Sequence, residues 1–294
     1  MANAGRTTGE RIFGVFNAVF LAIVALLAVY PFIYVISVSF STASEAVRTG
    51  LHLYPREVTL TAYRMVLGNR EIVIGYLNTI FRTTLGTLAT LLITCLTAYP
   101  LSRSYMPHRK GLTFAVIFTM LFSGGIVPLY LIVKNLHLID NRLVYILPCM
   151  LTGFNVIVVK SFFQQVPESL CEAAKVDGAG EFRILFGIFI PLSKPVLATV
   201  GLWTAVLHWN MWLDATIYIS SNSKQVLQTF LRRIVIENST ELIEKGIINP
   251  DVTQFTPDTI KAATIVITIL PMLILYPFAQ KYFVKGITLG AVKE

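Results

Sequence analysis

Glu172-Ala173-Ala174-Lys175-Val176-Asp177-Gly178, followed after nine residues by Ile188-Phe189-Ile190-Pro191, lies in a polar loop between two long apolar stretches. A membrane span calls for apolar side chains and a solvent loop for polar ones, so small residues ended by Asp-Gly suit neither role by default. Pro167 and Glu168 fit the first turn of a helix, Pro because it lacks an N–H that would go unpaired and Glu because it favours the positive end of the dipole. Leu170, Ala173, Ala174 and Asp177 then fall at i, i+3, i+4 and i+7, on one helical face. The alanines on that face would let another backbone approach closely. Gly178 is the expected stop, able to take the left-handed conformation at a helix end. Beyond it, Ala179 and Gly180 permit a sharp redirection, and Pro191 and Pro195 are expected to kink or interrupt the next segment. The expected object is a short helix across a loop, tied to a bent segment, with a surface built for docking.

The flanking apolar stretches set the fold class. Hydrophobic residues make up 55% of the 294-residue chain and charged ones 14%, and the mean hydropathy is +0.68, whereas a soluble domain carries about 25% charged residues. About 20 apolar residues cross a hydrocarbon core. Six stretches qualify: Ile12 to Val38, Tyr76 to Leu101, Leu112 to Val133, Leu143 to Phe163, Ile188 to Ile219 and Ile260 to Phe283. The expected fold is an all-α integral membrane protein of six transmembrane helices. Residues 1–11 form an N-terminal segment, 12–283 the transmembrane domain and 284–294 a tail, with polar connectors at about 164–187 and about 220–259.

Arg6 and Arg11 ahead of the first apolar run resemble the start of a signal peptide. The run greatly exceeds the 7–15 residues of a typical signal core and no small-x-small cleavage site follows Val38, so an uncleaved span is expected. Arg103, Arg109 and Lys110 in the short second connector, with Arg6, Arg11, Lys281, Lys285 and Lys293 at the ends, place those regions inside by the positive-inside rule. Arg48, Arg56, Arg64, Arg70, Arg232, Arg233 and Lys245 oppose this, but they lie in long connectors, where the rule is weaker. An even number of spans then puts both termini, and the Glu172 loop, in the cytoplasm. The net charge of +8 reads as contact with anionic headgroups, because the basic residues flank spans and are interleaved with acids. No nucleic-acid partner is expected.

Cys95, Cys149 and Cys171 are widely spaced, and His52, His108, His137 and His208 are scattered with no HExxH, so neither a disulfide framework nor a metal site is expected. No GxxxxGK[ST] phosphate loop occurs either. If nucleotide energy is used, another chain must bind the nucleotide.

The Glu172-Ala173-Ala174, Gly178 and Ile188-x-Ile190-Pro191 spacing resembles the cytoplasmic signature of the membrane subunits of ATP-binding-cassette importers: EAA, three residues, Gly, nine residues, IxLP. One departure is Ile190 where the signature has Leu. Within that family the chain resembles the carbohydrate permeases of the maltose type. It is most similar to their smaller six-span partner and to relatives importing oligosaccharides or polysaccharide fragments. His208-Trp209-Asn210 and the tail Gly286 to Glu294 carry part of this likeness. The resemblance implies that Glu172 to Gly178 is a coupling helix seated on a separate ATPase, with Glu172, Ala173, Ala174, Asp177, Gly178, Ile188 and Pro191 as coupling residues. It implies that the tail reaches the ATPases through Gly286, Gly290 and Lys293. The implied partners are a homologous permease forming a heterodimer, two ATPase subunits that bind ATP and Mg, and an extracytoplasmic solute-binding protein. The implied cargo is a carbohydrate and the implied location the bacterial inner membrane. No cofactor or catalytic residue belongs to the chain itself.

Polar residues inside the spans mark a pathway or a partner. Asn78, Asn155, Trp203, Trp209, Asn210 and Asp214 are the pathway candidates, with Arg82 and His208 beside them. Arg82 and Asp214 lie near expected outer ends, where snorkelling explains them. Trp203, Trp209, Trp212 and Tyr218 could form a sugar platform, but an aromatic belt or packing against a partner explains them as well. Ser123-Gly124-Gly125 with Pro128 marks irregular backbone, read as close helix packing or a gate. In the connector after the fifth span, Val226, Phe230, Ile234 and Ile236 suggest partial order. A stand-alone secondary transporter or channel is the alternative. It would show paired acids, basic rows or an internal repeat, and the chain shows none clearly.

Overall fold

The computed structural model describes the backbone of residues 8–236 and 256–291 and the side chains as far as Ile274. In lipid every backbone polar group must be satisfied within its own segment, which leaves the helix as the form a single apolar segment can take. The elements are α1 (Thr8–Ser39), α2 (Ala43–Ala46), α3 (Thr61–Gly68), α4 (Arg70–Ser102), α5 (Arg109–Leu121), α6 (Ile126–Asn135), α7 (Gly153–Phe163), α8 (Glu168–Val176) and α9 (Glu181–Ile184). They continue as α10 (Ile190–Leu192), α11 (Lys194–Asn210), α12 (Leu213–Tyr218), α13 (Leu227–Ile236) and α14 (Pro257–Ala291).

Three helices are long and apolar enough to cross a membrane alone: α1, α4 and the Pro257–Ile274 part of α14. The other three expected spans are bent pairs. Arg109–Leu121 meets Ile126–Asn135 at 113°, Arg142–Cys149 meets Gly153–Phe163 at 52°, and Glu181–Leu192 meets Lys194–Asn210 at 83°. Each break has a cause in the sequence. Gly125 sits at φ +84°, a conformation that L side chains rarely adopt, and stands immediately before the second helix of its pair. Pro148 falls in a 3₁₀ turn, Leu147–Cys149, ahead of α7. Pro191 and Pro195 bracket the break at Ser193, preceded by a π-turn over Leu185–Phe189. The fifth stretch breaks again at Met211–Trp212, short of the expected Ile219. Among the described residues a Cβ at Gly124 would meet only Pro128, at 3.8 Å, and one at Gly125 nothing within 4 Å, so what these glycines do within the chain is break the backbone.

The chain divides into two compact units, Met1–Asn69 with Ile234–Ile269, and Arg70–Arg233 with Leu270–Glu294. In the first, α1 exposes apolar side chains on every side, Phe13, Leu26 and Leu27 among them. The turn that follows is tied by Ser39 Oγ to Tyr63 Oη at 2.8 Å and by Thr59 N–H donating to the Phe40 carbonyl at 2.8 Å.

In the second unit α4 is the spine, packed chiefly against α11 and α7. Small residues permit the approach: a Cβ at Gly86 would lie 2.7 Å from the His208 ring, and one at Gly201 would lie 3.2 Å from Leu91. At 33 residues α4 runs about 50 Å, longer than a hydrocarbon core of about 30 Å, so its ends carry the polar contacts. At its start Asn78 Nδ2 donates to the Ser223 and Gln225 carbonyls at 3.0 and 2.8 Å, and Thr79 Oγ1 accepts from Leu227 N–H at 2.9 Å. There the third and fifth connectors meet. Asp140 accepts from Lys224 Nζ at 2.7 Å and from Ser221; these bonds hold its carboxyl well below the usual range. At the far end of α4 the second and fourth connectors meet. The third connector thus pairs with the fifth and the second with the fourth. Val226, Phe230 and Ile234 are buried as the pattern suggested, whereas Ile236 is exposed. Glu237, Glu241, Glu244 and Lys245 lie outside the described residues.

Arg82 departs most from the sequence reading. It does not snorkel: its side chain is fully buried and forks onto Asp214, with Nη2 to Oδ2 at 2.6 Å and Nη1 to Oδ1 at 3.2 Å. Nη1 also donates to the Met211 carbonyl at 3.0 Å, and the guanidinium lies 4.6 Å from the Tyr145 ring centroid. A bidentate fork suits Arg and no other cation. The pair holds the α11–α12 break against α4. Removing one partner of such a pair leaves an uncompensated buried charge. Arg82→Ala is therefore expected to lower unfolding stability by about 3–5 kcal/mol, measured by denaturant titration in detergent. Arg82→Ala with Asp214→Ala should cost less than the two single changes added together.

Candidate functional site

The segment from Glu168 to Pro191 emerges as a short helix and a cap fastened to the far end of α4. Pro167 precedes the first turn of α8 and Glu168 occupies it. At the other end Gly178 has φ +76°. Its N–H donates to the Lys175 carbonyl at 3.0 Å and the Ala179 N–H to the Ala174 carbonyl at 2.8 Å. This is the full glycine-stopped motif, in which two otherwise orphaned carbonyls find donors.

The inward face of α8 differs from the expected one. Cys171 is completely buried and Ala174 packs beside it on a core of Ala98, Tyr99, Val159, Phe163 and Phe189. Ala174 therefore leaves the docking face to Leu170, Glu172, Ala173, Val176 and Asp177, all exposed, Val176 at 88%. Glu172 makes no hydrogen bond or ion pair among the described residues. Ile188 packs half-buried on the same core and Pro191 is exposed at the bend. The result is an outward apolar and acidic face on a helix whose other side is locked into the core. It can receive another protein.

Two polar links hold this face to α4, and the sequence reading found neither. Arg103, buried just past the end of α4, donates through Nη1 to Cys171 Sγ at 3.3 Å and through Nη2 to Glu168 Oε1 at 3.5 Å. Glu181 accepts from Tyr99 Oη at 2.5 Å and Tyr105 Oη at 2.9 Å and pairs with Lys175 Nζ at 2.8 Å. Hydrogen bonds to Glu181 and Tyr105 raise the Lys175 ammonium above its ordinary value. A basic and two aromatic side chains just where a span ends, Tyr99-x₃-Arg103-x-Tyr105, were the available signal.

The pathway candidates are dispersed. Asn78 is buried and spends its amide on the Ser223 and Gln225 carbonyls. Asn155 accepts from Trp203 Nε1 at 2.8 Å and donates to Thr204 Oγ1 at 3.4 Å. Trp209 is buried edge-on to Tyr76 at 5.7 Å, Trp212 lies under Arg232 at 3.6 Å, and Tyr218 stacks on Tyr130 at 6.1 Å. The four aromatic rings thus pack on four different partners. Asn210 is exposed, its Nδ2 donating to the Val206 carbonyl at 2.8 Å. Gly286 and Gly290 lie on α14, which continues through the expected tail, and Lys293 lies outside the described residues. Among the described residues no group of His, Cys, Asp and Glu could hold a metal ion.

A family model described as binding-protein-dependent transport system inner membrane component matches residues 4–289. The chain is 42% identical over 287 residues to the polygalacturonan/rhamnogalacturonan transport system permease protein YtcP of Bacillus subtilis (strain 168), spanning 97% of this chain and 99% of that one. It is 41% identical over 290 residues to protein LplC of the same organism, spanning 98% and 97%. Among solved structures it is similar to a chain of a bacterial ABC transporter involved in the import of the acidic polysaccharide alginate. There the TM-score is 0.89 and the identity 34%, over 96% of this chain and 100% of that one.

The positive φ at Gly178 carries a local prediction. Any L side chain in that conformation costs about 1–2 kcal/mol, a factor of about 5–30 in a local equilibrium. Gly178→Val should therefore speed amide hydrogen exchange across Asp177–Ala179 by that factor. Gly178→Asn should do so much less, because Asn visits the left-handed region.

Proposed function

The chain belongs to the family of binding-protein-dependent transport system inner membrane components, and we propose that it forms one half of the translocation pathway of an ATP-driven importer. Its cargo is a carbohydrate, an oligosaccharide or polysaccharide fragment. The names of YtcP and of the alginate importer support this cargo class. A homologous permease supplies the other half of the pathway and a solute-binding protein delivers the cargo. Two ATPase subunits bind ATP and Mg. The chain performs no catalysis of its own.

The observation that carries the mechanical part of this reading is α8: a capped helix with one face locked into the core and the other, Leu170, Glu172, Ala173, Val176 and Asp177, turned outward. In this role α8 is the coupling helix. Its outward face seats on an ATPase, and Gly178 fixes where the helix stops. When nucleotide closes the ATPase pair, the seat moves, α8 follows, and the spans switch between inward-facing and outward-facing arrangements. Each bent pair counts as one crossing, which gives six spans with both termini and the α8 loop in the cytoplasm of a bacterial cell. The expected tail, with Gly286, Gly290 and Lys293 as its contact residues, reaches toward the same ATPases. Asn210, exposed near the end of α11, is the pathway candidate best placed to meet cargo.

Glu172→Lys tests the seat. The carboxylate has no partner among the described residues, so folding and insertion should be unaffected, while an interfacial charge reversal should weaken the docked complex by tenfold or more, roughly the loss of one paired interfacial charge. The measurement is the amount of ATPase that co-purifies with membrane-inserted protein. Recovery equal to that of the unsubstituted chain, with uptake intact, would remove α8 from the coupling role.

A further inference from the structure

A docked helix moves a span most directly through a side-chain joint added to the main chain, which after α8 runs through the hydrogen-bonded cap at Gly178 and Ala179. The structure supplies the joint elsewhere. Glu181, the first residue of α9, is held by Tyr99 Oη at 2.5 Å, Tyr105 Oη at 2.9 Å and Lys175 Nζ at 2.8 Å. Those partners come from three places: the last turns of α4, the connector that follows it, and the last turn of α8. One carboxylate therefore joins α4, the second connector and α8. Tyr99 is buried and stands edge-on to Phe189 at 4.9 Å, so its hydroxyl is set by the core. Lys175 Nζ also lies 3.2 Å from Tyr105 Oη and 4.4 Å from that ring's centroid. Beside the joint is an apolar cavity of about 330 Å³ lined by Leu96, Pro100, Met106, Pro107, Phe182 and Leu185.

We propose that Glu181 is a positioning residue that transmits displacement of α8 to the end of α4, so that ATP hydrolysis and cargo movement stay coupled. The proposal rests on the importer reading above. Three hydrogen bonds, one from an ammonium, make a short charge-assisted link, direct from α8 and α9 to the end of α4. The second link, Arg103 to Cys171 and Glu168, keeps α8 seated on the core and does not involve α9. Loss of Glu181 should thus leave α8 docked through Arg103 and its buried face, and remove the link that ties α8 and α9 to the last turns of α4.

The test uses the complete importer, with partner permease, ATPases and solute-binding protein, in vesicles where uptake of labelled saccharide and ATP hydrolysis are measured together. Glu181→Gln should retain its ATPase subunits and hydrolyse ATP, while the saccharide moved per ATP falls by roughly tenfold, the scale of one charge-assisted hydrogen bond. Tyr99→Phe combined with Tyr105→Phe, which removes only the hydroxyls, should reproduce that ratio. Adding Glu181→Gln to that pair should lower it no further. If Glu181→Gln fails to assemble, the two Phe changes read the same link alone. Saccharide per ATP equal to the unsubstituted complex, uptake and hydrolysis falling in step, or effects that multiply in the triple variant would each overturn the proposal. Absence of ATP-driven uptake in the unsubstituted vesicles would overturn the importer reading itself, and the proposal with it.

Discussion

Hydrocarbon offers a protein no hydrogen bonds, so each polar group taken into the membrane must bring its own partner or be placed at an end. Both solutions occur in this chain, and they decide where it can bend. Continuous helices such as α1 and α4 satisfy most of their backbone internally, with one donor missing at Pro31 and one at Pro100. The broken stretches each concentrate their irregularity at a glycine or a proline: Gly125, Pro148, and Pro191 with Pro195. The costliest group, the Arg82 guanidinium, is met by a carboxylate, a carbonyl and a ring face, its Nε alone finding no partner among the described residues. That satisfaction fixes the α11–α12 break to α4.

With its middle fixed in this way, α4 serves as a rod with a polar fitting at each end. At its start, Asn78 and Thr79 fasten the loop over Ser223 to Leu227, and the Asp140–Lys224 pair closes the adjoining connectors. At its far end, Tyr99 and Arg103 reach α9 and α8. A stiff element gripped at both ends carries displacement over its whole length, about 50 Å. A coupling device needs this property, and a loosely packed bundle lacks it.

The class of fold was legible because apolar blocks of membrane-spanning length cannot be read otherwise, and the α8 stop was legible because Asp177-Gly178 is a local signal with a local cause. Breaks at Ser123–Gly125 and around Pro191 were legible for the same reason. Tertiary pairing was not. Arg82 and Asp214 stand far apart in the chain, and only folding places Met211 and Tyr145 around them, so the sequence offered snorkelling instead. The orientation of Ala174 was lost because one face of so short a helix is chosen by what packs beneath it, here Cys171 and Phe189. Glu181 looked like an ordinary loop acid. Its meaning lies in Tyr99 and Tyr105, which the fold brings to it from the end of another helix. The aromatic residues near His208 were grouped by sequence proximity, but helical geometry sends each to a different partner.

The central claim is that this chain moves cargo only as one part of a nucleotide-driven assembly. It is tested most directly by reconstituting the purified chain in vesicles, alone and then with partner permease, ATPase subunits and saccharide-loaded solute-binding protein. The account predicts no saccharide accumulation by the chain alone at any ion gradient, and ATP-dependent accumulation once the full set is present. Gradient-driven uptake by the single chain would contradict it.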